Sequence, residues 1–169
     1  AFLDRGEVKD VLAWLRVIAN PDDAAAFLRA VTSPKREVGA TSLEKLAQLA
    51  HNAHVPLSLA AQNSSYLTAL SARPAAALAE FSRLVVKLRA QSRNGKAADI
   101  VRAVIDQSGI LAQLRLETKN EALFLRRREN LDELAQWFES ERRPSGAGDL
   151  AAQLALLSNA DRGEPGNQV

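Results

Sequence analysis

Apolar residues in this sequence recur three and four positions apart, and no stretch alternates with a period of two in the manner of a strand. That spacing puts side chains on one face of an α-helix and gives a sheet nothing to build on. Val8, Val11, Leu12, Leu15 and Ile18 follow it, with Trp14 and Val17 widening the apolar face. Leu78, Phe81, Leu84, Val85 and Leu88 repeat it, and Leu131, Leu134, Ala135 and Phe138 do so again. Richness in Ala, Leu, Arg and Glu adds helix propensity. The expected fold is all-α, a compact multi-helix domain, and 169 residues suffice for one core.

Start and stop signals divide the pattern into segments. A first helix is expected from about Gly6 to Ala19. Asn20-Pro21-Asp22-Asp23 then reads as a helix start, with Asn20 as the N-cap, Pro21 at the first helical position and two carboxylates favoured by the dipole. The second helix carries Phe27, Leu28 and Val31 and must end before Pro34. A third begins near Ala40 or Thr41, with an apolar stripe of Leu43, Leu46, Ala47 and Ala50. Its cap is either Thr41, at capping-box spacing from Glu44, or Gly39. Val55 to Ala72 reads as one short helix and a polar loop. Pro74 opens a long helix to about Gln91, which Arg93-Asn94-Gly95 breaks. Further helices are expected over Ala97 to Gln107, from Ile110, over Asn120 to Arg142 with a stop at Pro144, and over Asp149 to Ser158.

The segment Pro34-Lys35-Arg36-Glu37-Val38-Gly39-Ala40-Thr41 joins two of these helices. Two cations precede a glycine that leads into a helix N-terminus. The first N–H groups of a helix lack intrahelical partners and favour anions, so phosphate is the natural ligand for such a turn. A plain helix–turn–helix with solvated charges fits the same residues. A second basic stretch carries Arg83, Lys87, Arg89, Arg93, Lys96 and Arg102 against a single anion, Asp99, within a net charge of only +2. It suits nucleic acid or an acidic partner, or is a solvated face.

No catalytic set emerges. Cysteine is absent, which removes disulfides, thiolate metal sites and cysteine nucleophiles. His51 and His54 are the two histidines of the chain, and no third metal ligand lies near them; a helix end accounts for both. Gly95-Lys96 lacks the remainder of a P-loop, since Ala90 and Ala97 stand where a glycine and a hydroxyl residue are needed. Asp22 and Asp23 are explained by helix initiation, and Arg126, Glu129 and Asn130 by pairing along one helix face. No apolar run reaches the roughly 18 residues of a membrane span, and no signal peptide is visible, so neither a membrane nor a metal is expected as a partner.

Taken together, these segments resemble one family. Glu7-Val8-Lys9-Asp10-Val11-Leu12-Ala13-Trp14-Leu15-Arg16, Asn20-Pro21-Asp22-Asp23, Phe27-Leu28-Arg29 and Pro34-Lys35-Arg36-Glu37-Val38-Gly39 are similar to the 2B subdomain of Rep/UvrD/PcrA-type superfamily 1 DNA helicases. Arg126 to Leu134, as R-x-x-E-N-L-x-E-L, resembles a second block near that subdomain's end. The Lys-Arg-Glu form of the turn is most like the Rep branch, and the loops between about Asn52 and Lys119 match in outline.

The resemblance implies a helix-hairpin-helix-like turn in a non-catalytic, regulatory subdomain of an ATP-dependent 3′-to-5′ helicase. On that reading residues 1–169 are an insert in a longer chain, with 1–5 and 160–169 as connections to the motor. ATP and Mg would belong to the motor subdomains, leaving this segment no cofactor. The implied partners are duplex DNA, the other subdomains, and replication or repair proteins that dock there, in a bacterial cytoplasm. DNA-backbone contact falls to Lys35, Arg36, Gly39, Ala40 and Thr41, with Arg83, Lys87, Arg89, Arg93 and Lys96 as a further partner or DNA face. One departure stands out. The family often has Gly-Ile-Gly where this chain has Glu37-Val38-Gly39, so a side chain and a negative charge replace the first glycine and should weaken duplex contact.

Overall fold

Helix α1 (Gly6–Ala19) is apolar on nearly every side, with Val8, Val11, Leu12, Trp14, Leu15, Val17 and Ile18 all buried. A helix of that kind has to be surrounded. The computed structural model describes residues 1–140 and 149–163. Within them α1 is packed by α2 (Ala24–Thr32), α6 (Ala72–Ser92), α7 (Ala97–Gln107), α9 (Glu121–Ser140) and α10 (Asp149–Gly163). The remaining helices are α3 (Ala40–Ala53), the single turns α4 (Leu57–Ala60) and α5 (Ser64–Leu67), and α8 (Ile110–Glu117). A short 3-10 turn, Phe2–Asp4, precedes α1. The described residues contain no strand, so the fold is all-α.

Trp14 anchors the centre of the core. Its ring meets Phe81 edge-on at 4.8 Å between centroids, and Phe81 in turn meets Phe27 at 5.7 Å. Its indole N–H donates to the Ser33 carbonyl at 2.8 Å, so its polar atom is satisfied. On the other side Leu131, Leu134, Ala135 and Phe138 of α9 are buried as their spacing predicts. That helix opens at Asn120, whose side-chain oxygen accepts from the amides of Ala122 and Leu123. Its expected end at Arg142 and Pro144 lies outside the described residues.

Several expectations need correction. Asn20 does not start α2. It closes α1, its N–H donating to the Arg16 carbonyl at 2.8 Å, and its side chain accepts from Asp22 N–H in a local turn. Pro21 sits in that turn, and Asp23 caps α2 by accepting from Ala26 N–H at 3.0 Å. Leu28 and Ala47 face solvent. Val55 to Ala72 holds two single-turn helices rather than one. Helix α6 begins two residues before Pro74. Proline is tolerated there because the first turn's N–H groups have no intrahelical partner to lose. Asn130 does not pair with Arg126. Buried, it donates to Glu7 at 3.0 Å and accepts from Arg5, tying α9 to the start of the chain.

Long-range polar contacts join the helices at their ends. Arg89 of α6 donates to the carbonyls of Val17 and Ile18, at 2.8 and 2.9 Å, where α1 runs out of intrahelical acceptors. Asp149, the first residue of α10, accepts from Ala97 N–H at 2.9 Å and so caps α7 from a distance of 52 residues.

Candidate nucleic-acid interface

The turn between α2 and α3 is non-helical and bends at Glu37, where Val38 N–H donates to the Arg36 carbonyl at 2.6 Å, and burial alternates along it. Pro34, Arg36 and Val38 point inward, while Lys35, Glu37 and Gly39 are exposed. Pro34 follows a cis peptide bond and lies against Gly109, where an added Cβ would come within 3.4 Å of the Pro34 ring. Gly109 also has φ 92, a conformation that glycine adopts without strain. Val38 is buried in the core.

Arg36 is held on all sides. Its guanidinium donates to the carbonyls of Ala30 and Val31, at 3.1 and 2.8 Å, where α2 ends. It also stacks 5.5 Å from the Trp14 ring and 5.0 Å from Phe81. Burial lowers its pKa, and the charge of Glu80 acts in the opposite direction. It remains a cation at neutral pH, but one directed at the interior and the end of α2. Lys35 is the exposed cation of the turn.

Gly39 is the N-cap of α3, with φ −98 and ψ 176, and no side chain caps the helix. Gly39, Ala40 and Thr41 are exposed, and the first N–H groups of such a turn have no intrahelical partner. Nothing lies within 4 Å of the position a Gly39 Cβ would take. Glu37 turns toward Arg73 at the start of α6, with 3.9 Å between the charged atoms and both side chains largely exposed. Such a pair is weak and screened by salt. Arg73 nevertheless adds a cation close to the turn, and no local sequence signal connects residues 37 and 73. Helix α3 packs mainly on α4 and α5.

The second basic stretch does not form one face. Arg89 is half-buried on the end of α1, and burial followed by repulsion from Arg93 lowers its pKa. Arg102 is paired with Glu139 at 2.7 Å. Arg83, Lys87, Arg93 and Lys96 are exposed. Gly95 follows the end of α6: its N–H donates to the Gln91 carbonyl at 3.0 Å, and a Cβ there would sit 2.9 Å from the same oxygen. His54 ends α3 in a left-handed conformation, φ 56. Among the described residues no three His, Cys, Asp or Glu side chains are grouped to hold a metal ion, and no helix is long and apolar enough to cross a membrane.

Residues 1–160 match the family described as the UvrD-like helicase C-terminal domain. The chain is 34% identical over 164 residues to the ATP-dependent DNA helicase PcrA of Bacillus subtilis strain 168, which covers 95% of this chain and 22% of that protein. It is 39% identical over 89 residues to the ATP-dependent DNA helicase Rep of Escherichia coli K12, covering 53% of this chain and 13% of that protein. Against DNA helicase II of the same organism the identity is 31% over 159 residues, covering 94% and 22%. The chain thus spans about a fifth of the length of the full-length relatives it matches.

Proposed function

The chain belongs to the UvrD-like helicase C-terminal domain family, and from that premise we propose that it is the accessory 2B subdomain of an ATP-dependent 3′-to-5′ DNA helicase. Its part is to touch the duplex backbone without reading sequence and to restrain unwinding. The relatives named as ATP-dependent DNA helicases support the helicase half of this reading. ATP, Mg and the hydrolytic residues belong, on this account, to parts of the helicase outside these residues.

The observation that carries the DNA half is the N-terminus of α3, which no side chain caps, with Gly39, Ala40 and Thr41 exposed there and the exposed Lys35 four residues earlier in the same turn. Phosphate suits such a group, because the helix dipole and the unpaired N–H groups attract the same anion. Contacts of this kind position a protein on DNA and carry no sequence information. Arg36 supports the site from behind by holding the end of α2. Glu37 is the opposing term, moderated by Arg73.

In the full-length helicase, Lys35→Ala is expected to weaken duplex binding uniformly across sequences. It should also lower the slope of log affinity against log salt by about 1. Unchanged affinity over a salt series would remove this turn from the duplex contact.

A further inference from the structure

Helix α6 presents Ala79, Ser82, Arg83, Val86 and Lys87 at helical spacing along one face, and α5 rises beside it. Between them runs an open groove of about 600 Å³ with Leu67 in its floor. Val86 projects into it and is 44% exposed, which is high for a large aliphatic side chain in so apolar a setting.

The wall carries uncompensated positive charge. Arg83 forms no ion pair among the described residues. Lys87 donates to Gln107 at 3.0 Å, a neutral partner that leaves its charge intact. No acidic residue lines the groove. An apolar concavity with two free cations on its rim complements an occupant that carries an apolar anchor between carboxylates.

We propose that the α5–α6 groove docks an acidic peptide segment of a partner protein, its aliphatic side chains seated against Leu67, Ala79 and Val86 and its carboxylates on Arg83 and Lys87. Nucleic acid fits less well. The groove has no aromatic ring on which a base could stack, and its apolar residues Leu67, Ala79 and Val86 would have no counterpart in a sugar-phosphate backbone. The proposal does not depend on the duplex contact at the α2–α3 turn, since no residue of that turn lines the groove.

A random-peptide phage library panned on the chain tests this. The selected peptides are then measured by fluorescence anisotropy against the unaltered chain, Arg83→Glu and Val86→Ser. Selected peptides should share acidic residues around an aliphatic anchor. Each substitution should weaken their binding by about 10-fold or more. Both side chains are exposed, so thermal unfolding should be unchanged and lost binding cannot be put down to misfolding. The proposal is overturned if no peptide is enriched, if enriched peptides lack acidic residues, or if both substitutions leave their affinity intact. It is equally overturned if Arg83→Glu lowers duplex affinity and leaves peptide binding untouched, since that assigns the cations to nucleic acid.

Discussion

Lys35 and Arg36 carry the same charge one position apart and differ in everything their head groups touch. Alternating burial along the turn leaves Lys35 in solvent and sets Arg36 against two helix-end carbonyls and two aromatic rings. Arg36→Ala should therefore act on stability, costing about 2 kcal/mol in urea unfolding, the range for hydrogen bonds to a charged group. Lys in its place should recover little, because an ammonium cannot fork to two carbonyls while stacking on the rings. Gly39→Asp separates the two roles more sharply. The site has room for a side chain and its dihedrals suit an L-residue, so the variant should keep its Tm or gain about 1 °C through a better N-cap. The same carboxylate occupies the phosphate position, so duplex affinity should fall, and a Tm scan beside a binding titration checks both. The sequence marks this turn through its two cations and its glycine. It does not show that one cation is structural, because the carbonyls and rings that claim Arg36 come from α1, α2 and α6.

At the scale of elements, helix bounds were largely legible because the signals that set them are local. Helices α1 and α7 run over the residues their apolar spacing predicts, and the Arg93-Asn94-Gly95 break falls where expected. Helix α2 starts three residues later than its sequence signals predict because Asn20 and Asp23 are both good caps, and only the geometry of the preceding helix end decides between them. What locks the elements together was not legible. Arg89 on α1, Asp149 on α7 and Asn130 between Arg5 and Glu7 all act across 52 residues or more. Asp149→Ala should destabilise the domain by about 1–2 kcal/mol, since it strips the α7 cap and leaves the buried Ala97 N–H without its acceptor. Hydrogen exchange at the first turn of α7 should rise at the same time. Asn130→Ala should cost about 1–3 kcal/mol by leaving Glu7 and Arg5 unmatched, and denaturant titration reads it directly.

At the scale of the whole molecule, among the described residues, the buried helix α1 is surrounded by α2, α6, α7, α9 and α10, while Lys35, Arg83, Lys87, Arg93 and Lys96 are exposed. Exposed positions such as Lys35 and Gly39 in the α2–α3 turn, and Arg83 and Val86 in the α5–α6 groove, can therefore be altered without touching the core around Trp14. The most direct measurement is single-turnover unwinding by the full-length helicase, compared with a form in which residues 6–158 are replaced by a short Gly/Ser linker. The account predicts that DNA-stimulated ATP hydrolysis survives the excision, that unwinding is faster, and that duplex affinity falls with a shallower salt dependence. Loss of ATP hydrolysis, or duplex affinity and unwinding that do not change, would contradict it.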